Sequence, residues 1–149
     1  MAQTYFGSTL RAGSGSLTDT VDGGFVVTAQ TTTVTTVAAG TASSATLTLP
    51  ASSQIIDFYV DTVQDEVVGG GTATAIAMTI GTAAAGTQYV SSTDVFAGGR
   101  AALTFTAAQL AAMADIGTSQ SVVITVDPNG TISTTQAIYR LTVVYAQKV

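Results

Sequence analysis

The sequence predicts an all-β protein: an antiparallel β-sandwich or jelly roll with one short α-helix and an extended N-terminal arm. Apolar residues recur at every second position from Ala45 onward, which is the spacing of strands with one buried face. Glycine-rich turns separate these stretches, and only one segment has a helical period. With 149 residues, the chain is long enough for one domain with a substantial core.

The N-terminal 44 residues differ from the rest because they are poor in aliphatic residues and rich in Gly, Ser and Thr. Two interpretations are open. One is a short strand near Phe25–Ala29 flanked by loops. The other is an extended arm that orders only on a partner, since so little apolar surface cannot offset the entropy of ordering. We predict an arm over residues 1–44 and a β-sandwich domain over residues 45–149.

The acidic stretch QIIDFYVDTVQDE, residues 54 to 66, has the period of a half-buried strand. The positions predicted to face the core are Ile56, Phe58 and Val60. The positions predicted to face away from it are Asp57, Tyr59 and Asp61. Gly69–Gly71 then predicts a turn into a second strand of a hairpin at residues 76–80. The run Asp127–Gly130 predicts a tight turn with hairpin chemistry before the closing strand.

One segment has the pattern of a helix, which we place at Ala107–Ala114. Thr106 and Gln109 have the spacing of a capping box, in which each side chain satisfies a free backbone amide of the other residue. Leu110 and Met113 are predicted to share its buried face, and Gly117 to end it.

The absence of His, Cys and Trp excludes a serine–histidine triad, a thiol nucleophile, a zinc site and an iron–sulfur cluster. A hydrolase that depends on Asp57 and Asp61 is an alternative, although aromatic residues, which usually line such clefts, are only 7% of the chain. A calcium site at Asp61, Asp65 and Glu66 lacks the spacing of a Ca²⁺-binding loop. We therefore expect no enzyme activity and assign no catalytic residue, cofactor or metal ligand.

The charge balance bears on partners and location. Four basic against nine acidic residues give a net charge of −5, too few cations for a phosphate-binding patch, so we expect no nucleic-acid partner. There is no signal-peptide pattern and no run long enough to span a membrane, so we expect synthesis in the cytoplasm and no membrane partner. Only 9% of residues are charged while mean hydropathy is +0.46, which indicates that much of the surface either consists of Thr, Ser, Ala and Gly or is buried against other chains.

Interface residues are predicted from exposed aromatic and charged positions. Asp57 or Asp61 is expected to pair with Arg100 or Arg140, across strands or across protomers, because the chain offers few other cations. Of the tyrosines, Tyr59 is one of two candidates for an exposed contact. The full set of interface candidates is Tyr5, Phe6, Phe25, Asp57, Tyr59, Asp61, Tyr89, Arg100 and Arg140, with Tyr89 as the second exposed tyrosine.

Four stretches between residues 45 and 145 carry a resemblance to a known class of protein. They are LTLPASSQIIDFYVDTV, AMTIGTAAAGTQYVSSTDV, TAAQLAAM, and VVITVDPNG followed by a closing strand that ends in VVYA. In order and rhythm they resemble small virion structural proteins of tailed bacteriophages, of the capsid decoration (cement) or head-fibre type.

The resemblance implies a β-sandwich that assembles, often as a homotrimer, on the outer face of an icosahedral shell. Its partner would then be the major capsid protein and its location the virion. The function expected is capsid decoration, in which the protein stabilises the assembled head by bridging capsid subunits. The alternative is a head-fibre or tail module that binds a host receptor or glycan through loops such as Thr82–Thr93.

Overall fold

Seven strands and one helix make up the part of the chain that the computed structural model describes, which is residues 25–66, 70–114, 116–132 and 135–148. The strands are β1 (Phe25–Thr35), β2 (Ser43–Leu49), β3 (Ser53–Gln64), β4 (Ile76–Gly81), β5 (Val90–Asp94), β6 (Gln120–Pro128) and β7 (Ile138–Lys148). The helix, α1 (Ala107–Ala114), lies between β5 and β6. The predicted bounds of the helix are confirmed.

The strands form two sheets in which every pairing is antiparallel. The three-stranded sheet has the order β1-β7-β3, and the four-stranded sheet has the order β2-β6-β4-β5. The predicted all-β sandwich with a single short helix is therefore confirmed. A jelly roll has eight strands, whereas the described residues form seven. The place beside β3 is taken by the backbone around Arg100, and the jelly-roll form stays a prediction.

The core lies between the two sheets and is built by alternate residues of each strand, as the period-two pattern predicts. β7 contributes the largest inward-facing set, all of it buried: Tyr139, Leu141, Val143 and Tyr145. β4 faces it from the other sheet with Ile76, Met78 and Ile80. Phe105 is partly buried and packs against this cluster.

Strand β1 changes the predicted domain boundary. It pairs with β7 over its whole length, from Phe25 opposite Lys148 to Thr35 opposite Ile138. Val34 is buried, and Thr36 just beyond the strand exchanges hydrogen bonds with Ala137. Residues 25 to 44 therefore lie within the sandwich rather than in an arm, because a stretch rich in β-branched threonine and valine suits a paired strand. Residues 1 to 24 lie outside the described residues, and the arm stays a prediction there.

A β-bulge in β3 reverses one predicted orientation. The register with β7 shifts between Ile55 and Asp57, so Ile55 is 3% exposed and Ile56 is 49% exposed. The prediction that Ile56 faces the core is wrong, because the extra residue of a bulge moves the alternation by one position. Beyond the bulge the prediction is confirmed, since Phe58 and Val60 are buried.

The two predicted hairpins are also wrong, because each of these connections crosses from one sheet to the other. β3 and β7 belong to the three-stranded sheet, while β4 and β6 belong to the four-stranded sheet. Neither Asn129 nor Gly130 has a positive φ. Instead, Asn129 Oδ1 accepts hydrogen bonds from the amides of Thr74 and Ala75, at 2.8 and 3.1 Å. A Cβ at Gly130 would lie 2.6 Å from Thr72 Oγ1, so the glycine permits close packing.

Helix α1 begins with the predicted capping box. The Thr106 amide donates to Gln109 Oε1 at 2.8 Å, and the Gln109 amide donates to Thr106 Oγ1 at 3.3 Å. Its buried residues are Gln109 and Met113, whereas Leu110 is exposed. The predicted pairing of Leu110 with Met113 on the buried face is therefore wrong. Gln109 takes that place because its Nε2 donates to Thr87 O and Ser91 Oγ.

Candidate interaction surface

The outward side of the three-stranded sheet brings together most of the predicted interface residues. Because Tyr139, Leu141 and Val143 point into the core, the residues between them on β7 point outward. The registers with β1 and β3 then place three cross-strand rows on this side: Thr33–Arg140–Asp61, Thr31–Thr142–Tyr59 and Ala29–Val144–Asp57. We call these nine residues the outer face.

Asp61 lies between two arginines at one end of the outer face. Arg100 Nε donates to Asp61 Oδ1 at 2.7 Å, and Arg100 Nη2 donates to Oδ2 at 3.3 Å. Arg140 Nη2 lies 3.6 Å from the same Oδ2. The predicted pairing is confirmed for Asp61, within one chain and with both arginines. Asp57 makes neither pair and instead accepts a hydrogen bond from the Phe58 amide at 2.8 Å.

The electrostatics of this group follow from the same contacts. The hydrogen bond from Arg100 is the main cause that lowers the pKa of Asp61, and the positive charges of Arg100 and Arg140 add to it. The Arg100 guanidinium also lies over the Tyr59 ring, 5.0 Å from its centroid. The neighbouring Asp57 carboxylate raises the pKa of Tyr59, mainly by hydrogen bonding. Tyr59 is therefore a neutral donor held beside a cation.

This arrangement suits contact with another macromolecule. The Arg100 and Arg140 side chains are 64% and 49% exposed, so each has N–H donors that point to solvent. Two guanidiniums beside one carboxylate give an excess of positive charge at this end of the outer face, which Asp57 balances at the other end, on a chain whose net charge is −5. The rest of the outer face carries small or uncharged side chains, apart from Asp57. Arg and Tyr in such a setting are typical of protein interfaces.

The other interface candidates fall elsewhere. Tyr89 is 2% exposed and its ring packs against Phe58 with centroids 5.5 Å apart. The prediction that Tyr89 makes an exposed contact is therefore wrong. Tyr89 is the last residue of a loop, and its buried ring packs in the core beside Phe58. Tyr5 and Phe6 lie outside the described residues, as does the side chain of Phe25.

The segment of residues 82–93, predicted as a loop for the receptor-binding alternative, is a loop only as far as Tyr89, because β5 begins at Val90. Hydrogen bonds hold this loop at its base and near its tip. Gln88 Oε1 accepts a hydrogen bond from the Thr82 amide at 3.1 Å, and the Ala85 amide donates to Thr125 Oγ1 at 2.8 Å. The residues at its tip, Ala83 and Ala84, are exposed but small. Such a loop presents little side-chain surface to a partner.

A small pocket lies beside Tyr139, and its lining includes Arg100 of the Asp61 cluster. Its volume is about 190 Å³, below the 300–1,000 Å³ of ordinary ligand pockets. Burial raises the pKa of Tyr139, and the charges of Glu66, Asp65 and Asp94 raise it further. Within the described ranges, no three side chains of the His, Cys, Asp or Glu type stand together to hold a metal ion. The sequence places Asp65 and Glu66 together, whereas Asp94 and Tyr139, which complete this acidic corner, lie far from them in the chain.

Comparisons with known proteins add no relative. No protein-family model, curated protein or solved structure matches the chain. None of the helices in the described ranges has both the length and the apolarity to cross a bilayer. The resemblance to phage virion proteins therefore rests on the sequence stretches quoted above and not on a relative.

Proposed function

We propose that the protein is a non-enzymatic structural protein of a tailed-phage virion: a capsid decoration protein that stabilises the assembled head by bridging capsid subunits. The observation that carries this proposal is the outer face, a broad sheet surface of small uncharged side chains around the Asp61 cluster with Arg100 and Arg140. A surface of this kind binds a partner by being buried in an interface, without any chemical reaction.

Stabilisation of a shell follows from binding alone. A protein that binds the assembled shell and not the dispersed subunits shifts the assembly equilibrium by mass action. When one copy contacts several subunits, the second contact forms at a high effective concentration, so weak individual contacts suffice. A sandwich with two sheets is a rigid support for such contacts, which lowers the entropy lost on binding.

The chemistry of the outer face indicates how the contact is made. Exposed arginines provide bidentate recognition of carboxylates on a partner, and Asp61 holds them in fixed orientations. Thr31, Thr142 and Val144 provide a flat uncharged area beside them. In this proposal the major capsid protein supplies acidic side chains and an apolar patch, and residues 1–24 supply the predicted arm as a second contact.

Binding to phage heads tests the proposal. Full-length protein is mixed with heads of the phage that encodes it, prepared without the protein, and the heads are sedimented. We expect saturable binding and a higher temperature of head disruption. Thr142→Glu, at the centre of the outer face, is expected to weaken binding by at least tenfold. Thr46→Glu, on an exposed position of the four-stranded sheet, is the matched control and is expected to bind normally.

Two results would contradict the proposal. Heads that stay bare at saturating protein, or equal binding by both glutamate variants, would remove it. Binding of the protein to host cells with no affinity for heads would favour the receptor or glycan alternative. The structure offers that alternative little support, because the ring of Tyr89, the one aromatic residue of the 82–93 loop, is buried and cannot stack on a sugar.

A further inference from the structure

Strand β1 forms an edge of the three-stranded sheet. β7 pairs with one side of it, and no strand in the described part of the chain pairs with the other. The register with β7 runs without a shift over all 11 residues. At its start Val26 and Val27 are 54% and 62% exposed. β1 thus presents a long, regular row of backbone N–H and C=O groups to solvent.

The other edges of the two sheets are shorter or better protected than β1. β3 has two register shifts in its pairing with β7. Its outer side is covered where the Thr62 amide donates to Gly99 O at 2.8 Å and the Ala101 amide donates to Val60 O at 2.9 Å. β5 is only five residues long, has a register shift and ends in Asp94. β2, like β1, has no charge, proline, glycine or register shift, but at seven residues it is shorter than β1. β1 contains no charge, proline, glycine or bulge, which are the usual devices against edge pairing.

We propose that β1 pairs antiparallel with β1 of a second copy of this chain, about a two-fold axis at Gln30, so that two three-stranded sheets join into one of six strands. Opposed residues in a sheet must point to the same side, and the full length of both strands overlaps only when Gln30 faces Gln30. The remaining interior pairs are then Val26 with Val34, Val27 with Thr33, Thr28 with Thr32, and Ala29 with Thr31.

The sequence of β1 favours a second copy over other occupants. Read in both directions from Gln30, it places β-branched or small residues opposite each other at each of these pairs. A strand without charge pairs with itself without repulsion, even though each chain carries a net charge of −5. The exposed Val26 and Val27 gain partners in the same step. A two-fold contact of this kind gives an even number of chains. The trimer predicted from the sequence is compatible with it only as half of a hexamer, built with a separate three-fold contact.

This inference does not rest on the proposed function, because it concerns the protein alone in solution. Sedimentation equilibrium of the full-length protein at micromolar concentration is expected to give an even multiple of the 14.9 kDa chain mass. Ala29→Lys/Thr31→Lys places lysine opposite lysine at both pairs beside the axis and is expected to halve that mass. Both positions are exposed, so the fold is retained. The double variant Ala29→Glu/Thr31→Glu is also expected to halve the mass. A mixture of the lysine and glutamate variants is expected to restore the paired assembly.

A cysteine variant tests the register, since the natural chain has no cysteine. Opposed residues of antiparallel strands have Cα atoms roughly 4.5–5.5 Å apart, within the range of a disulfide. Gln30→Cys is expected to form a covalent dimer on mild oxidation. Thr33→Cys is the control and should not, because its counterpart would lie six residues along the partner strand, about 20 Å away.

Some results would overturn the inference. The first is a wild-type protein that stays monomeric, as expected if residues 1–24 cover β1 or if nothing does. The second is a lysine double variant with the mass of the wild type, or a mixture of the lysine and glutamate variants that stays monomeric. The third is an equal yield of covalent dimer from Gln30→Cys and Thr33→Cys.

Discussion

Asp61 and Arg100 are paired twice, once by side chains at 2.7 Å and once by an antiparallel backbone bridge at the outer side of β3. The two contacts act together. The bridge brings the guanidinium to the carboxylate, and the ion pair holds the chain around Arg100 against the strand. The result covers a sheet edge and fixes one end of the outer face.

Loss of this ion pair is expected to loosen the covering segment. In Asp61→Asn, the amides of Thr62 and Ala101, which donate across this edge, should exchange their hydrogens faster than in the wild type. Arg140→Gln is the control, since Arg140 lies 3.6 Å from Asp61 and takes no part in the bridge. Equal exchange rates at these amides in Asp61→Asn and wild type would contradict the account.

Acid should remove the contribution of Asp61 to stability. Arg100 lowers the pKa of Asp61 in the folded state, so the unfolded chain binds the proton more tightly. The contribution is therefore complete above the unfolded pKa of about 3.9 and is lost as pH falls through the lower folded pKa. We expect the difference in unfolding free energy between wild type and Asp61→Asn to be constant above about pH 5 and to shrink below pH ~4. A difference independent of pH would refute this.

Alkali should destabilise the fold through Tyr139. Burial raises the pKa of Tyr139, so the folded state holds its proton more tightly than the unfolded chain. Its contribution is complete below the unfolded pKa of about 10 and falls as pH rises beyond it. Urea unfolding followed across this range should show a smaller loss for Tyr139→Phe than for wild type. At neutral pH the variant should lose about 1 kcal/mol with the hydrogen bond to Val95 O. Parallel pH profiles would count against this role.

Gln109 and Leu110 exchange the roles that their polarity suggests. Gln109 is buried and bonded to Thr106, Thr87 and Ser91, whereas Leu110 is exposed. We expect Gln109→Ala to lower the free energy of unfolding by about 2 kcal/mol, because it removes the cap and leaves buried groups unpaired. Leu110→Ala should change it by no more than about 0.5 kcal/mol. Denaturant unfolding compares the two, and a larger loss for Leu110→Ala would contradict the structure.

Adjacent isoleucines report on the bulge in β3. Ile55→Ala opens a cavity in the core and should cost about 2–5 kcal/mol of unfolding free energy. Ile56→Ala removes a half-exposed side chain and should cost about 1 kcal/mol or less. Thermal unfolding of both variants checks the order, and the reverse order would show that the strand follows the simple alternation.

The structural features that the sequence predicted correctly are mainly those that depend on local sequence pattern. The capping box of Thr106 and Gln109 predicted the start of α1, and the alternation of apolar residues identified Phe58 and Val60 as buried. What it missed depends on contacts between distant residues. Ile56 points outward because of a bulge against β7, and Gln109 is buried because Thr87 and Ser91 bond it. A local pattern of two strands and a turn is compatible with a hairpin or with a crossover, because packing between distant residues decides which sheet each strand joins.

The interaction surface was predictable in part for the same reason. Because the chain has few cations, a pairing of Asp61 with an arginine could be predicted. The identity of its partners could not, because it depends on the register of β3 with β7 and with the chain at Arg100. Tyr89 looked like an exposed ring because polar residues surround it in sequence. Only the packing against Phe58 shows that it belongs to the core.

The central claim is that this protein acts by covering the surface of a phage head. An electron cryomicroscopy map of heads incubated with the full-length protein tests it most directly. The account predicts added density on the outer surface of the shell, with a sandwich of two sheets whose outer face touches capsid subunits. Heads without added density at saturating protein would contradict it.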